Sequence, residues 1–111
     1  MEIQTQQRGA VTIAKPMGPI TGADADAFST RMGELIRQNL GRVAVDASAL
    51  SYVDSNGLES LADAAKELAQ GGQGLKLCNA SETIKQVIQL TGLGPQFEHF
   101  DDINSAVRSF L

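Results

Sequence analysis

The chain is poor in the residues from which most enzyme centres are built. It has one cysteine (Cys78), one histidine (His99) and no tryptophan. A lone cysteine excludes an internal disulfide and a cysteine-rich zinc cage, and it fits a reducing compartment. With no companion for a redox pair, Cys78 reads as small buried filler. A lone histidine excludes a His-pair metal site, and a Ser-His-acid triad would have to use His99, in a short segment between phenylalanines. Basic residues are also scarce, nine against thirteen acidic ones, for a formal net charge of -4. They are not clustered, which argues against nucleic acid and against docking on anionic membrane. No aromatic ladder exists for stacking bases. Nowhere are there about 18 consecutive apolar residues, so no membrane insertion is expected. The start, Met1-Glu2-Ile3-Gln4, lacks the basic and apolar stretches of a secretory signal. The expectation is a cytoplasmic protein with no cofactor and no metal.

What is present is a regular alternation of elements. At 111 residues the chain fits a single domain spanning 1–111, long enough to bury one core. Ile3 to Gln7 and Ala10 to Ala14 read as two strands around an Arg8-Gly9 turn, hence a hairpin. The prolines and glycines of Lys15 to Gly22 make a loop. From Asp24 to Leu40, Phe28, Met32, Leu35, Ile36 and Leu40 fall on one helical face, with Gly41 as the stop. Val43 to Val45 is a short buried strand. Leu58, Leu61, Ala62, Ala65 and Leu68 mark a second helix, closed by Gly71-Gly72. Leu75 to Cys78 is another strand. Ser81 starts a helix with Ile84, Val87, Ile88 and Thr91 inward, ended by Gly92. Phe97 to Phe100 reads as an edge strand. Asp101 or Asp102 caps a last helix with Ile103, Ala106, Val107 and Phe110 inward. The fold class is α/β: a mixed sheet of four to five strands with about four helices, in the order β-β-α-β-α-β-α-(β)-α.

The remaining polar features are mostly structural. Gly71-Gly72-Gln73-Gly74 follows a helix and precedes a strand, the reverse of a phosphate-cradling loop. Asp24 and Asp26 are two apart and do not share a helical face, so they read as capping and dipole charges. One segment stands out. Asp54-Ser55-Asn56-Gly57-Leu58 follows a strand and opens a helix, and its small polar residues leave backbone amides uncovered. Ser55 there either caps the helix or serves as a phosphate acceptor. The same amides could hold an anion, although no Lys or Arg lies nearby in sequence.

The stretch Leu50-Ser51-Tyr52-Val53-Asp54-Ser55-Asn56-Gly57-Leu58 closely resembles the signature of STAS domains, the family of bacterial anti-sigma factor antagonists. Ile84, Val87-Ile88 and Leu90-Thr91-Gly92-Leu93 resemble the family's later helix with its Thr/Ser-Gly-Leu ending. Gly18, Ile20 and Ala25 match more loosely. The resemblance implies a regulator of transcription and not an enzyme, with no catalytic residue. It makes Ser55 the phosphorylation site of a partner-switching pathway, with Asp54 orienting the segment and Gly57 allowing close approach of the kinase. The partner-binding surface would be Asp54, Ser55, Asn56, Gly57 and Leu58, with Thr21 from the earlier loop. The implied partners are a histidine-kinase-like anti-sigma factor or another serine kinase, and a serine phosphatase. Asn56, Thr21 and Glu59 differ from the residues most antagonists carry at these places. They support an alternative: a STAS adaptor or scaffold subunit in a transport or sensing complex that never carries phosphate.

Overall fold

The computed structural model describes residues 1–111. The elements run β1 (Ile3–Arg8), β2 (Val11–Pro16), α1 (Ala23–Gln38), β3 (Val43–Asp46), α2 (Ser55–Ala69), β4 (Leu75–Cys78), α3 (Glu82–Leu90), a single 3₁₀ turn (Gly94–Gln96), β5 (Phe97–Phe100) and α4 (Ile103–Arg108). The five strands form one sheet in the order β1-β2-β3-β4-β5. β1 and β2 form the antiparallel hairpin, and β2 to β5 are parallel. This is the expected mixed α/β architecture, with β5 as the edge strand.

Strand side chains alternate between faces, and the two faces are covered unequally. Val43, Val45, Leu75, Leu77 and Phe97 join Phe28, Met32, Leu61, Leu68, Ile84 and Ile88 in a core of 21 buried residues under α1, α2 and α3. On the other face Val11, Ile13, Ala44, Cys78 and Ala106 form a smaller cluster of 5, which only the short α4 covers. Each large side chain fully buried in this way contributes about 1.5–3 kcal/mol of transfer free energy. Lys76 sits on the α4 side, its side chain 9% exposed, with Nζ 3.1 Å from Glu98 Oε2. The same ammonium lies 4.8 Å from the Phe110 ring centre and 5.5 Å from that of Phe100. It thus pins the chain end to the sheet.

Several expected details are corrected. Leu40 does not continue the buried stripe of α1 but is 75% exposed. The helix ends at Gln38, where Asn39 Nδ2 donates to the Leu35 carbonyl at 2.8 Å. Leu40 then takes a left-handed φ of 54°, which turns its side chain to solvent. Thr91 is exposed, and its hydroxyl donates back to the Val87 carbonyl at 2.8 Å. Val107 and Phe110 do face inward as expected, half-buried against the smaller cluster. Asp24 and Asp26 lie in the first turn of α1 without capping it. The cap position is Gly22, and Asp24 instead meets the N-terminal ammonium at 3.4 Å.

Candidate functional site

The site is assembled by two loops at the carboxyl ends of β2 and β3. Ile20 and Val53 form an isolated parallel bridge. Ile20 N–H donates to the Tyr52 carbonyl at 3.0 Å, and Asp54 N–H donates to the Ile20 carbonyl at 3.4 Å. Ile20 and Val53 are both buried, so apolar burial holds the crossing together. Thr21 is thereby brought beside residues 54–58, as the sequence reading requires.

Asp54 is the residue on which this local geometry turns. It is the N-cap of α2, with Oδ1 accepting from Gly57 N–H at 2.8 Å. Its Oδ2 accepts from Gly22 N–H at 3.0 Å, across 32 positions of chain. One carboxylate therefore satisfies an orphan helix donor and ties both loops together. The Gly57 amide does most to hold the Asp54 carboxyl below its ordinary range, with the Gly22 amide helping against the cost of desolvation.

Because Asp54 takes the cap, Ser55 does not. Ser55 is the first residue of α2, and its side chain is exposed. The capping alternative for Ser55 is thus replaced by a free hydroxyl at the positive end of the helix. Asn56 and Glu59 are also exposed, and Leu58 is half-buried against the main core. Together with Gly22, Asp26 and Asp63, Asn56 and Glu59 line a polar hollow of about 340 Å³ that no lysine or arginine enters.

Gly57 is required by the packing of the two loops. It is buried, and a Cβ there would stand 2.0 Å from the Ile20 carbonyl oxygen and 3.2 Å from Val53 Cβ. The close approach it permits is to the chain's own backbone. Ser60 lies in the same turn, buried, with its hydroxyl donating to the Gly57 carbonyl at 2.6 Å. Nothing in the local spacing singles out Gly22 or Ile20, since their parts depend on contacts between distant segments.

The other candidates lie elsewhere. Cys78 is fully buried, and desolvation, with the nearby Asp46 charge, pushes its thiol up to about 11. His99 stands on the edge strand β5, away from Ser55. No helix is long and apolar enough to cross a membrane.

Comparison with known proteins bears on the same segments. The STAS domain family model matches residues 2–106. A relative from Bordetella bronchiseptica, provisionally named anti-sigma factor antagonist BtrV, is 24% identical over 110 residues, covering 99% of this chain and 95% of its own. Among solved structures, a provisionally assigned anti-sigma factor antagonist from Thermotoga maritima superposes with a TM-score of 0.86 at 18% identity, covering 96% of this chain and 92% of that one. Phosphorylated SpoIIAA, a Bacillus cell fate determinant, gives 0.72 at 20% identity, covering 99% and 100%. The murine anion transporter Slc26a9 gives 0.76 at 20% identity over 94% of this chain, which spans 18% of the transporter.

Proposed function

The chain belongs to the STAS domain family, and on that premise we propose that it is an anti-sigma factor antagonist whose binding is switched by phosphorylation of Ser55. The observation that carries the reading is the exposed Ser55 side chain, first in α2, beside a cap that Asp54 already fills. Phosphorylation adds about -1.5 to -2 charges and three strong acceptors. The helix N-terminus supports that charge, whereas Asp54 and Glu59 oppose it. Both Asp54 carboxylate oxygens already accept from backbone amides, and in this reading the modification alters a surface and leaves the fold in place.

The magnitude suits a switch. A standard interface buries about 1,600 Å² in total. The loops around Thr21 and Ser55, with the first turn of α2, supply one side. A dianion at its centre without a counter-charge costs a few kcal/mol. At about 1.4 kcal/mol per tenfold, affinity changes roughly 10- to 1000-fold. The domain needs no chemistry of its own, because the partner supplies the phosphoryl group. That partner is a histidine-kinase-like anti-sigma factor, with a serine phosphatase to restore the free hydroxyl. In this reading 1–111 acts as one unit in the cytoplasm.

The test is phosphorylation by a histidine-kinase-like ATPase from the same genome, with the modified residue located by mass spectrometry. Ser55→Ala abolishes phosphate incorporation and keeps binding, while Ser55→Asp weakens binding. A kinase that modifies another residue, with Ser55→Ala unaffected, refutes the assignment. A second reading draws on the transporter likeness and on the bulk and charge of Glu59: an adaptor in a transport or sensing complex that never carries phosphate. A single unmodified species under every growth condition would favour it.

A further inference from the structure

β1 is a free edge of the sheet, and it lacks the devices that usually close one. It is six residues long, its register against β2 is unbroken, and it contains no proline and no lysine. Gln4, Thr5, Gln6 and Gln7 are all exposed. The opposite edge, β5, is only four residues long and carries a charge, Glu98, within it. The outward groups of β1 follow from its pairing. Met17 N–H donates to the Glu2 carbonyl at 3.0 Å, one step beyond the Ile3–Pro16 pair. Antiparallel strands alternate, so Glu2, Gln4, Gln6 and Arg8 turn their backbone groups to β2, and Ile3, Thr5 and Gln7 turn theirs away. No other strand of the chain meets those outward N–H and C=O groups.

The side chains add an independent feature. Glu2 and Arg8 share the α4 face of the sheet: Gln4 Nε2 donates to Glu2 Oε2 at 3.4 Å, and Arg8 Nη1 donates to Asn104 Oδ1 at 3.0 Å. Neither Glu2 nor Arg8 enters an ion pair within the chain. They stand at opposite ends of the edge, about 20 Å apart at strand rise. A second copy laid antiparallel along β1, with Thr5 opposite Thr5 of the copy, sets Ile3 opposite Gln7 and Gln4 opposite Gln6. Glu2 then meets Arg8 of the copy, and symmetry makes this ion pair occur twice. The smallest slip that still pairs the outward groups is two residues, and it separates the charges in either direction.

We infer that the chain forms a two-fold dimer in which β1 pairs antiparallel with β1 of a second copy, giving one continuous sheet. Ile3, Thr5 and Gln7 each exchange N–H and C=O across the contact, and the Glu2–Arg8 pairs fix its register. The contact is isologous, so it closes on itself and uses up the free edge. It takes no residue from the Ser55 segment, and the antiparallel arrangement leaves the two Ser55 segments at opposite ends of the joined sheet. A single strand pair covers less than the roughly 1,600 Å² of a standard interface, so the dimer is weak, with a Kd between about 10 μM and 1 mM.

The test is sedimentation velocity of the full chain across that concentration range, at low salt. The expected result is a monomer–dimer equilibrium that shifts toward monomer as salt screens the ion pairs. Thr5→Pro removes an N–H that points away from β2, so the hairpin keeps its own ladder while the central exchange is lost; this variant stays monomeric throughout. If it fails to fold, the charge variants decide the question. Glu2→Arg and Arg8→Glu each weaken the dimer about five- to tenfold, because the altered contact occurs twice. The combined exchange of both residues restores the parent affinity. A chain that is monomeric up to about 1 mM overturns the proposal, and so does a dimer that persists in Thr5→Pro. Single charge reversals without effect, or a combined exchange no tighter than either alone, overturn it as well. Particles that keep growing beyond the dimer indicate open pairing and refute the closed contact.

Discussion

Gly57→Ala sets two opposing effects against each other. Gly57 is helical and its φ lies outside the left-handed region, so alanine by itself would stabilise α2 by about 1 kcal/mol. Against this, the new methyl would stand 2.0 Å from the Ile20 carbonyl oxygen and 3.0 Å from its carbon. These are backbone atoms and cannot rotate away as a side chain would. Relief requires the 20–22 loop to separate from the 52–54 segment. That movement strains the hydrogen bonds from Ile20 N–H to Tyr52 and from Asp54 N–H to Ile20, each worth about 0.5–1.5 kcal/mol. Overpacking adds about 1–3 kcal/mol. The clash wins, and the net destabilisation is about 2–3 kcal/mol. For a domain of this size that lowers Tm by roughly 8–12 °C. Urea and thermal unfolding measure it, and amide exchange at Gly22 and Ile20 should accelerate in the variant. Gly94→Ala, placed in open space, is the control and stays within about 0.5 kcal/mol of the parent. A Gly57→Ala protein as stable as the parent would mean that helix propensity outweighs the contact, and the account of how the two loops are joined would be wrong.

Three further outcomes follow from groups already described. Asp54 and Asp102 have carboxyl pKa values lowered chiefly by the amides of Gly57 and Ser105. Their contribution is therefore complete above the unfolded carboxylate range, near pH 4, and is lost as pH falls through the lower folded values. The urea midpoint should drop on acidification, and less steeply in Asp102→Ala, whereas an identical slope would contradict this. Lys76→Met keeps the packing against Phe100 and Phe110 while Glu98, 47% exposed, stays solvated. Its cost is below about 1.5 kcal/mol, and Glu98→Gln costs more because it strands a buried ammonium; the reverse order in urea melts would disprove the point. The Cys78 thiol, buried and raised to about 11, resists alkylation at pH 8 until the protein unfolds. Rapid labelling of the native protein would count against its burial.

The sequence carried the elements and their order well, because their signals are local. Phe28, Met32, Leu35 and Ile36 keep helical spacing, and the Leu75–Cys78 and Phe97–Phe100 strands appear with their expected bounds. Leu40 escapes the pattern because the periodicity continues through a stop that the Asn39 side chain imposes. Hydrophobic spacing runs the stripe of α2 through Leu58, whereas the buried face also takes Gly57, Ser60 and Ala64. Small residues carry little hydrophobic signal, yet they allow close approach. At the site, the DSNGL segment is visible as a helix start. The division of labour between Asp54 as cap and Ser55 as exposed neighbour is not, because Asp, Ser and Asn all suit a cap position, and the second Asp54 contact, to Gly22, comes from 32 positions earlier in the chain.

The spatial order of the strands repeats their order along the chain. Each newly made strand therefore meets an edge already built by its predecessor, and no later piece has to insert between earlier ones. Assembly can proceed from one side to the other as the polypeptide emerges, with mostly short-range closure at every step. The far side of the sheet is the exception, since its lid comes from residues 103–108, which follow all five strands in the sequence. Until then Ile13, Ala44 and Cys78 face solvent, so a chain cut before Ile103 would keep its helices yet adhere to its neighbours.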